Sequence, residues 1–380
     1  MSHFYLTRLM SIYDEQKAAL IFPGFDDSTK RLLYYLDAKL EELSNIVNTV
    51  NCFIGGFAML AHSFHVLILS RKAMRTSLMN QILIAISVCY IVYVALLIEL
   101  RIVQIEGPRP ECHPPSTLLF EKIQIVLYAL YALCRRTCSW LGILMASLRL
   151  IILKSPVDSR IRRVAHSKNG PKLVFVTILL DFPISFLYYL RFSIEEYDPW
   201  RPAETCSEWP KDYTRPQYGL VHSELFQMND AIVFRFYLFI DGAFSKVVPG
   251  LLYPILTAIL IRELKSAHKL RSSVSEAFKN SSYKSTKLVL YMSISHLSSD
   301  LPIGITTLIQ SQIANTSGLL SILVNVQIFF ATVFHLNALI QCFICFSLSQ
   351  TYRNTVKQVV QKALQIVYPV DFRSSTMMPI

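Results

Sequence analysis

Charge is what this 380-residue sequence has little of: Asp, Glu, Lys and Arg make up only 17% of it, while 53% is hydrophobic. That balance excludes an ordinary soluble protein of this length, because so much apolar surface must face something other than water. The chain carries a net charge of +11, yet its basic residues do not form one patch. They flank apolar runs, which argues against nucleic acid as a partner. Zinc-ligand spacing is missing as well, since Cys342 and Cys345 form a lone CxxC inside an apolar run with no second pair. No metal or other cofactor is expected. Nor does the first stretch, MSHFYLTRLMSIYDEQKAAL, show the basic and apolar regions of a secretory leader, so the first membrane helix is expected to act as the targeting signal.

What is present is a series of long apolar runs. A helix that crosses a bilayer needs ~20 mostly apolar residues. Seven segments qualify: Ile46 to Ser70, Met79 to Leu100, Leu118 to Leu153, Lys172 to Leu190, Ile232 to Ile261, Lys287 to Ile309 and Gly318 to Leu348. The expected fold is an all-α membrane protein, a seven-transmembrane helix bundle. Residues 1–45 read as an extracellular tail, 46–348 as the membrane domain and 349–380 as an amphipathic helix and cytoplasmic tail. In Gln350 to Val367, Val356, Val359, Val360 and Leu364 interleave with Arg353, Lys357 and Lys362 at helical spacing, which suits a short helix lying on the membrane.

Orientation follows from the loops. Arg71, Lys72 and Arg75 follow the first run; Lys154, Arg160, Arg162, Arg163 and Lys168 follow the third; Arg262, Lys265, Lys269, Arg271, Lys279 and Lys284 follow the fifth. These three loops belong in the cytosol. The connection between runs four and five is acidic, with Glu195, Glu196, Asp198, Glu204, Glu208, Asp212, Glu224 and Asp230. The N-terminus is then outside and the C-terminus inside, at the plasma membrane. This counts against insect odorant-receptor channels, whose topology is reversed. The seventh run has no lysine to form a retinal Schiff base, which excludes opsin chemistry.

Of eight cysteines, only Cys112 and Cys206 lie in polar segments on the outer side, and a disulfide between them is expected. Two unpaired loop cysteines are the alternative. Asn315 begins a sequon in a luminal loop too short for ready glycosylation.

The stretch HSFHVLILSRKAMRTSLMN from His62 resembles the first inner loop of the nematode serpentine receptor class W family. This is a rhodopsin-like group of G-protein-coupled receptors related to FMRFamide-type peptide receptors. Four further segments agree, in order: CRRTCSWLGILMASLRLIILKSP from Cys134, KVVPGLLYPILTAILIRELKSAHK from Lys246, KLVLYMSISHLSSDLPIGI from Lys287 and NALIQCFICFSLSQTYRNTV from Asn337. The resemblance implies coupling of an extracellular ligand, a peptide or else a small molecule, to a heterotrimeric G protein. It implies no enzyme. It also places Arg149 at the G-protein contact, where Leu148, Arg149 and Leu150 replace Asp-Arg-Tyr, and Asn337 in the helix-seven motif, where Ala338 replaces the proline. Tyr90 stands where the family has an aspartate, and His62 where helix one has asparagine.

Charges inside the bilayer are costly, ~2.5 to 3.5 kcal/mol each on insertion scales, and mark a pocket or a packed ion pair. Counting ~1.5 Å per residue from the inner ends puts Arg135 ~21 Å above Arg149, Asp300 ~20 Å above Lys287 and Lys246 ~24 Å above Arg262. Arg136 and Asp241 are close to the same zone, and Asp181 is nearer the middle of helix four. Arg135, Arg136, Asp241, Lys246 and Asp300 are therefore the candidate ligand contacts. Asp300 is expected to pair with one of the three cations. The competing reading is a structural salt bridge that only fixes helix packing. A channel or transporter lacks support, because no continuous polar stripe or broken-helix repeat is present. A hydrolase built on His62, His65, His296 or His335 lacks it too, since only His296 has a carboxylate, Asp300, on its own helix face.

Overall fold

The computed structural model describes residues 14–105, 112–154, 166–203, 206–210, 212–270, 276–314 and 316–367. Asn315, Glu204, Arg160, Arg162, Arg163 and Arg271 lie outside the described residues.

Long helices dominate: α1 (Asp27–Leu69), α2 (Leu78–Ile105), α3 (Leu118–Lys154) and α4 (Gly170–Leu190) come first. A hairpin of β1 (Phe192–Trp200) and β2 (Arg215–His222) follows. Next is α5, a helical run in three parts: Glu224–Gly242, a π-turn at Ala243–Val247, and Val248–Leu270. Last come α6 (Glu276–Gln312), α7 (Ser317–Leu348) and α8 (Gln350–Val367). Six of them are long and apolar enough to cross a membrane, by length and composition. The remaining long helix, α6, packs between α5 and α7 and completes the ring. Large apolar side chains such as Phe53, Phe57, Phe175 and Leu180 point outward, which suits a lipid surround.

α1 begins at Asp27 rather than at the expected Ile46, so part of the N-terminal tail is helical. Asp26 caps it, accepting from the Ser28 hydroxyl, the Thr29 hydroxyl (2.7 Å) and the Thr29 backbone N–H (3.1 Å), and these bonds, Ser28 first, hold its carboxyl below the usual carboxylate range. Ahead of it a short helix, Glu15–Ile21, ends at the fully buried Phe22, and Gly24 turns the chain at φ +83°. Phe22 packs so closely on Gly318 at the start of α7 that a Cβ there would sit 2.4 Å from its ring.

Helix contacts run through small residues, as expected where apolar lipid removes the hydrophobic drive to associate and close van der Waals packing must replace it. At Gly304 a Cβ would meet Val247 Cγ2 at 2.7 Å, bringing α6 against the π-turn of α5. α3 runs through the middle of the bundle, contacting α2, α4 and α5. The core around it holds Tyr90, Tyr93, Leu141, Met145, Tyr253 and Phe334.

Two local features were not expected. The acidic connection between helices four and five is an antiparallel hairpin, Phe192 opposite His222 and Tyr197 opposite Gln217, with a register shift before Trp200. The π-turn has a chemical cause in Pro249, which lacks an N–H and so cannot close an α-turn onto Ser245. The N–H of Val248 reaches back to the Ala243 carbonyl instead.

At the opposite end, the Tyr352 backbone N–H donates to Ser349 Oγ (3.2 Å) to start α8, and Arg353 closes the end of α7 by donating to the Ser347 carbonyl at 2.6 Å. Tyr352 is buried, whereas Val360 and Leu364 are exposed.

Candidate functional site

Cys112 and Cys206 are bonded to each other, with Cα atoms 5.4 Å apart, as expected. The bridge ties the segment before α3 to the hairpin loop. Trp209 reinforces it by donating its indole N–H to the Cys112 carbonyl (2.8 Å), and stacks against Tyr213 with Trp200 edge-on. At the base of the hairpin, Arg191 donates to His222 Nδ1 (3.3 Å) and lies over the rings of Phe234 and Phe192. Burial and this cation hold the His222 imidazole below its ordinary range.

Below the hairpin, α3 places four polar residues close together, Arg135, Arg136, Thr137 and Ser139, with Gln124 nearer the hairpin end. Each step along a helix turns by about 100°, so neighbours in sequence serve different partners. Arg136 donates to Asp241 of α5 at 2.9 Å and also reaches Ser185 of α4. Thr137 donates to Asp181 of α4 at 3.0 Å, and Ser139 to Asp300 of α6 at 2.8 Å. Arg135 lies over the Phe334 ring of α7, 5.4 Å from its centre.

Asp241 receives a second cation. Lys246 Nζ donates to it at 2.7 Å and to Thr307 of α6 at 3.0 Å. Residues five apart do not share a face of an α-helix, but the hydrogen-bonded repeat of a π-turn spans five residues and brings them together. The irregularity that Pro249 causes is thus what assembles the Arg136–Asp241–Lys246 triad. All three side chains are at most 15% exposed.

Asp300 departs from expectation. Its partners are His296, one turn earlier on α6, with Nδ1 at 2.9 Å, and the Ser139 hydroxyl, rather than Arg136 or Lys246. Those two cations are instead directed at Asp241. Arg135 acts on Asp300 only at longer electrostatic range. Among the described residues Arg135 has no carboxylate within ion-pair distance, and its Nη2 is buried without a hydrogen-bond partner. Tyr93 and Tyr131, which stack with centroids 4.6 Å apart, lie beside it.

Toward the α8 end, the interior is neutral and histidine-rich. His62 bridges Ser87 Oγ (3.0 Å) and the Ala338 carbonyl (3.1 Å), Tyr90 meets His335 Nδ1 (2.9 Å), and His65 meets the Tyr352 hydroxyl (2.9 Å). Tyr90, in place of the family aspartate, is therefore a packing group bonded to α7. Asn337 lines a cavity here with Gln341. Arg149 is part-buried, with Tyr253 of α5 and Cys345 of α7 in electrostatic reach, and Lys154 pairs with Glu263 (3.2 Å) across the same end. Among the described residues no group of three or more His, Cys, Asp or Glu is arranged to hold a metal ion.

The charged layer therefore joins α3, α4, α5 and α6 beneath a disulfide-tied hairpin, with an arginine at the opposite end of α3. Residues 49–363 match the family described as "Serpentine type 7TM GPCR chemoreceptor Srw". The curated protein "G-protein coupled receptor dmsr-1" of Caenorhabditis elegans is 25% identical over 239 residues, which are 62% of this chain and 45% of that protein. This chain thus spans less than half the length of that relative. With most of its length covered by the family match and the long helices packed as one bundle, the chain belongs to the Srw family of serpentine seven-transmembrane G-protein-coupled chemoreceptors.

Proposed function

We propose that the protein is a plasma-membrane receptor that binds an extracellular peptide at the hairpin end of the bundle and passes the signal to a heterotrimeric G protein at the α8 end. In this reading the N-terminus is outside and the C-terminus inside. The observation that carries it is Arg135, a part-buried residue that reaches Tyr131 but whose buried Nη2 has no hydrogen-bond partner, positioned beneath the hairpin and beside the paired charges of α3, α5 and α6. A ligand carbonyl or carboxylate satisfies that donor, and the aromatic rings of Tyr93, Tyr131 and Phe334 supply the surrounding apolar contacts. Lys246, Asp241, Arg136 and Asp300 hold α3, α5 and α6 in register, so a ligand that displaces one member biases the relative position of those helices. Arg149 is then the contact for the G protein.

The test is a screen of secreted peptides and of small soluble and volatile compounds on cells carrying a promiscuous G-protein reporter, with epitope tags at both termini. A peptide response, with the N-terminal tag stained on intact cells and the C-terminal tag stained only after permeabilisation, supports the proposal. Responses confined to small molecules reassign the ligand class, and surface staining of the C-terminal tag on intact cells overturns the topology.

A further inference from the structure

A cavity of about 180 Å³ lies between α6 and α7, on the α8 side of the charged layer. That space is well above the ~10–15 Å³ one water requires, so a small polar head fits. Two features distinguish it from a packing defect. The lining, mostly apolar, carries the polar side chains of His62, Tyr90, His296, Ser298, Asn337 and Gln341. Its mouth is formed by Ile294, 54% exposed, and Ile340, 49% exposed, both in the outward apolar surface of the bundle. The cavity therefore opens sideways, toward the bilayer.

The chemistry of the wall selects the occupant. Gln341 is 8% exposed and its Nε2 donor has no hydrogen-bond partner, an arrangement that is unfavourable unless something fills it. His62 spends both ring nitrogens on Ser87 and Ala338, and Tyr90 is engaged by His335. His296 directs Nδ1 to the Asp300 carboxylate at 2.9 Å. One wall thus offers an unmet donor, Gln341 Nε2, and none of the lining residues is a carboxylate that would attract a cation. A hydroxyl oxygen matches that donor, accepting from Gln341.

We infer that this cavity is a binding site for the head of a single-chain neutral lipid, a long-chain alcohol in its simplest form, which enters from the bilayer between α6 and α7. The chain lies along Ile294 and Ile340 and the hydroxyl accepts from Gln341. The inference rests on the membrane placement of the bundle and is independent of the ligand at the hairpin end.

The experiment uses the full chain in lipid nanodiscs and a hexadecanol probe carrying a mid-chain diazirine and a terminal alkyne. Photolabelling is expected at the α6 and α7 peptides that contain Ile294 and Ile340. Unlabelled hexadecanol is expected to suppress it at least fivefold more effectively than hexadecane, which lacks the head. Ile340→Trp, which fills the mouth, reduces labelling, whereas Ile255→Trp on a lipid-facing position of α5 leaves it unchanged. In Gln341→Leu the advantage of hexadecanol over hexadecane shrinks. Labelling spread evenly over the exposed helix faces, or equal competition by hexadecane on the unmutated protein, overturns the site, and neither outcome depends on a variant folding.

Discussion

Replacing Asp241 by Asn removes the carboxylate in contact with both Arg136 and Lys246 and leaves two buried cations facing each other. Breaking a buried pair costs about 3–5 kcal/mol, because the abandoned charge has lost its water and gained nothing in return. Here two charges are abandoned, so Asp241→Asn belongs at the upper end of that range. Ser185 and Thr307 still accept hydrogen bonds from the cations and limit the loss. Neutralising a cation as well removes part of the penalty, so the double variants Asp241→Asn with Arg136→Gln and Asp241→Asn with Lys246→Gln lose less than the sum of their single changes. Coupling energies of about 1–3 kcal/mol are expected in each cycle. The assay is thermal unfolding of purified receptor in one detergent, followed by intrinsic fluorescence, with all variants at the same pH. Strict additivity in both cycles would refute the triad as an energetic unit.

Other expectations can be checked in the same preparation. A second cycle, Asp300→Asn with His296→Gln, should show coupling, while Asp300→Asn with Arg136→Gln should be additive; the reverse pattern would restore the arginine pairing expected from depth alone. Gly304→Ala should lower the unfolding temperature, because its Cβ would overlap Val247, whereas Gly56→Ala, with nothing within 4 Å, should leave it unchanged. Equal unfolding temperatures for the two would contradict the close approach of α5 and α6. Cys112→Ser should destabilise by about 2–4 kcal/mol and reduce surface expression, read by cell-surface labelling. Recovery of both cysteines as alkylated thiols from surface protein would remove the bridge from the account.

How far the fold was legible depended on the physical range of each signal. Helix number follows from the length of apolar runs, a property of neighbouring residues, and the bundle agrees with it. The disulfide was legible because the two thiols stood apart from an otherwise membrane-embedded set. The His296–Asp300 pair could be seen at i, i+4 spacing, although its strength was underestimated beside three stronger cations. Asp241–Lys246 could not be seen, since five residues apart is the wrong spacing in an α-helix and only the π-turn before Pro249 makes it right. The pairing of Arg136 with α5 rather than α6 depends on how α3 is rotated in the bundle, which no local pattern states. The hairpin was hidden by polar, acidic strands with no clean alternation, and the helical start at Asp27 by an N-terminal stretch that reads as polar tail. No local pattern around Gln341 indicates the cavity it faces.

The most direct test of the receptor account separates its two ends. With an agonist obtained from the screen, ligand binding and nucleotide exchange on a purified heterotrimer are measured for the unmutated chain, Arg135→Gln and Arg149→Ala in nanodiscs. The account predicts that Arg135→Gln weakens binding at least tenfold, while Arg149→Ala binds as the unmutated chain does and loses exchange. Undiminished exchange by Arg149→Ala, or unchanged agonist affinity in Arg135→Gln, would contradict it.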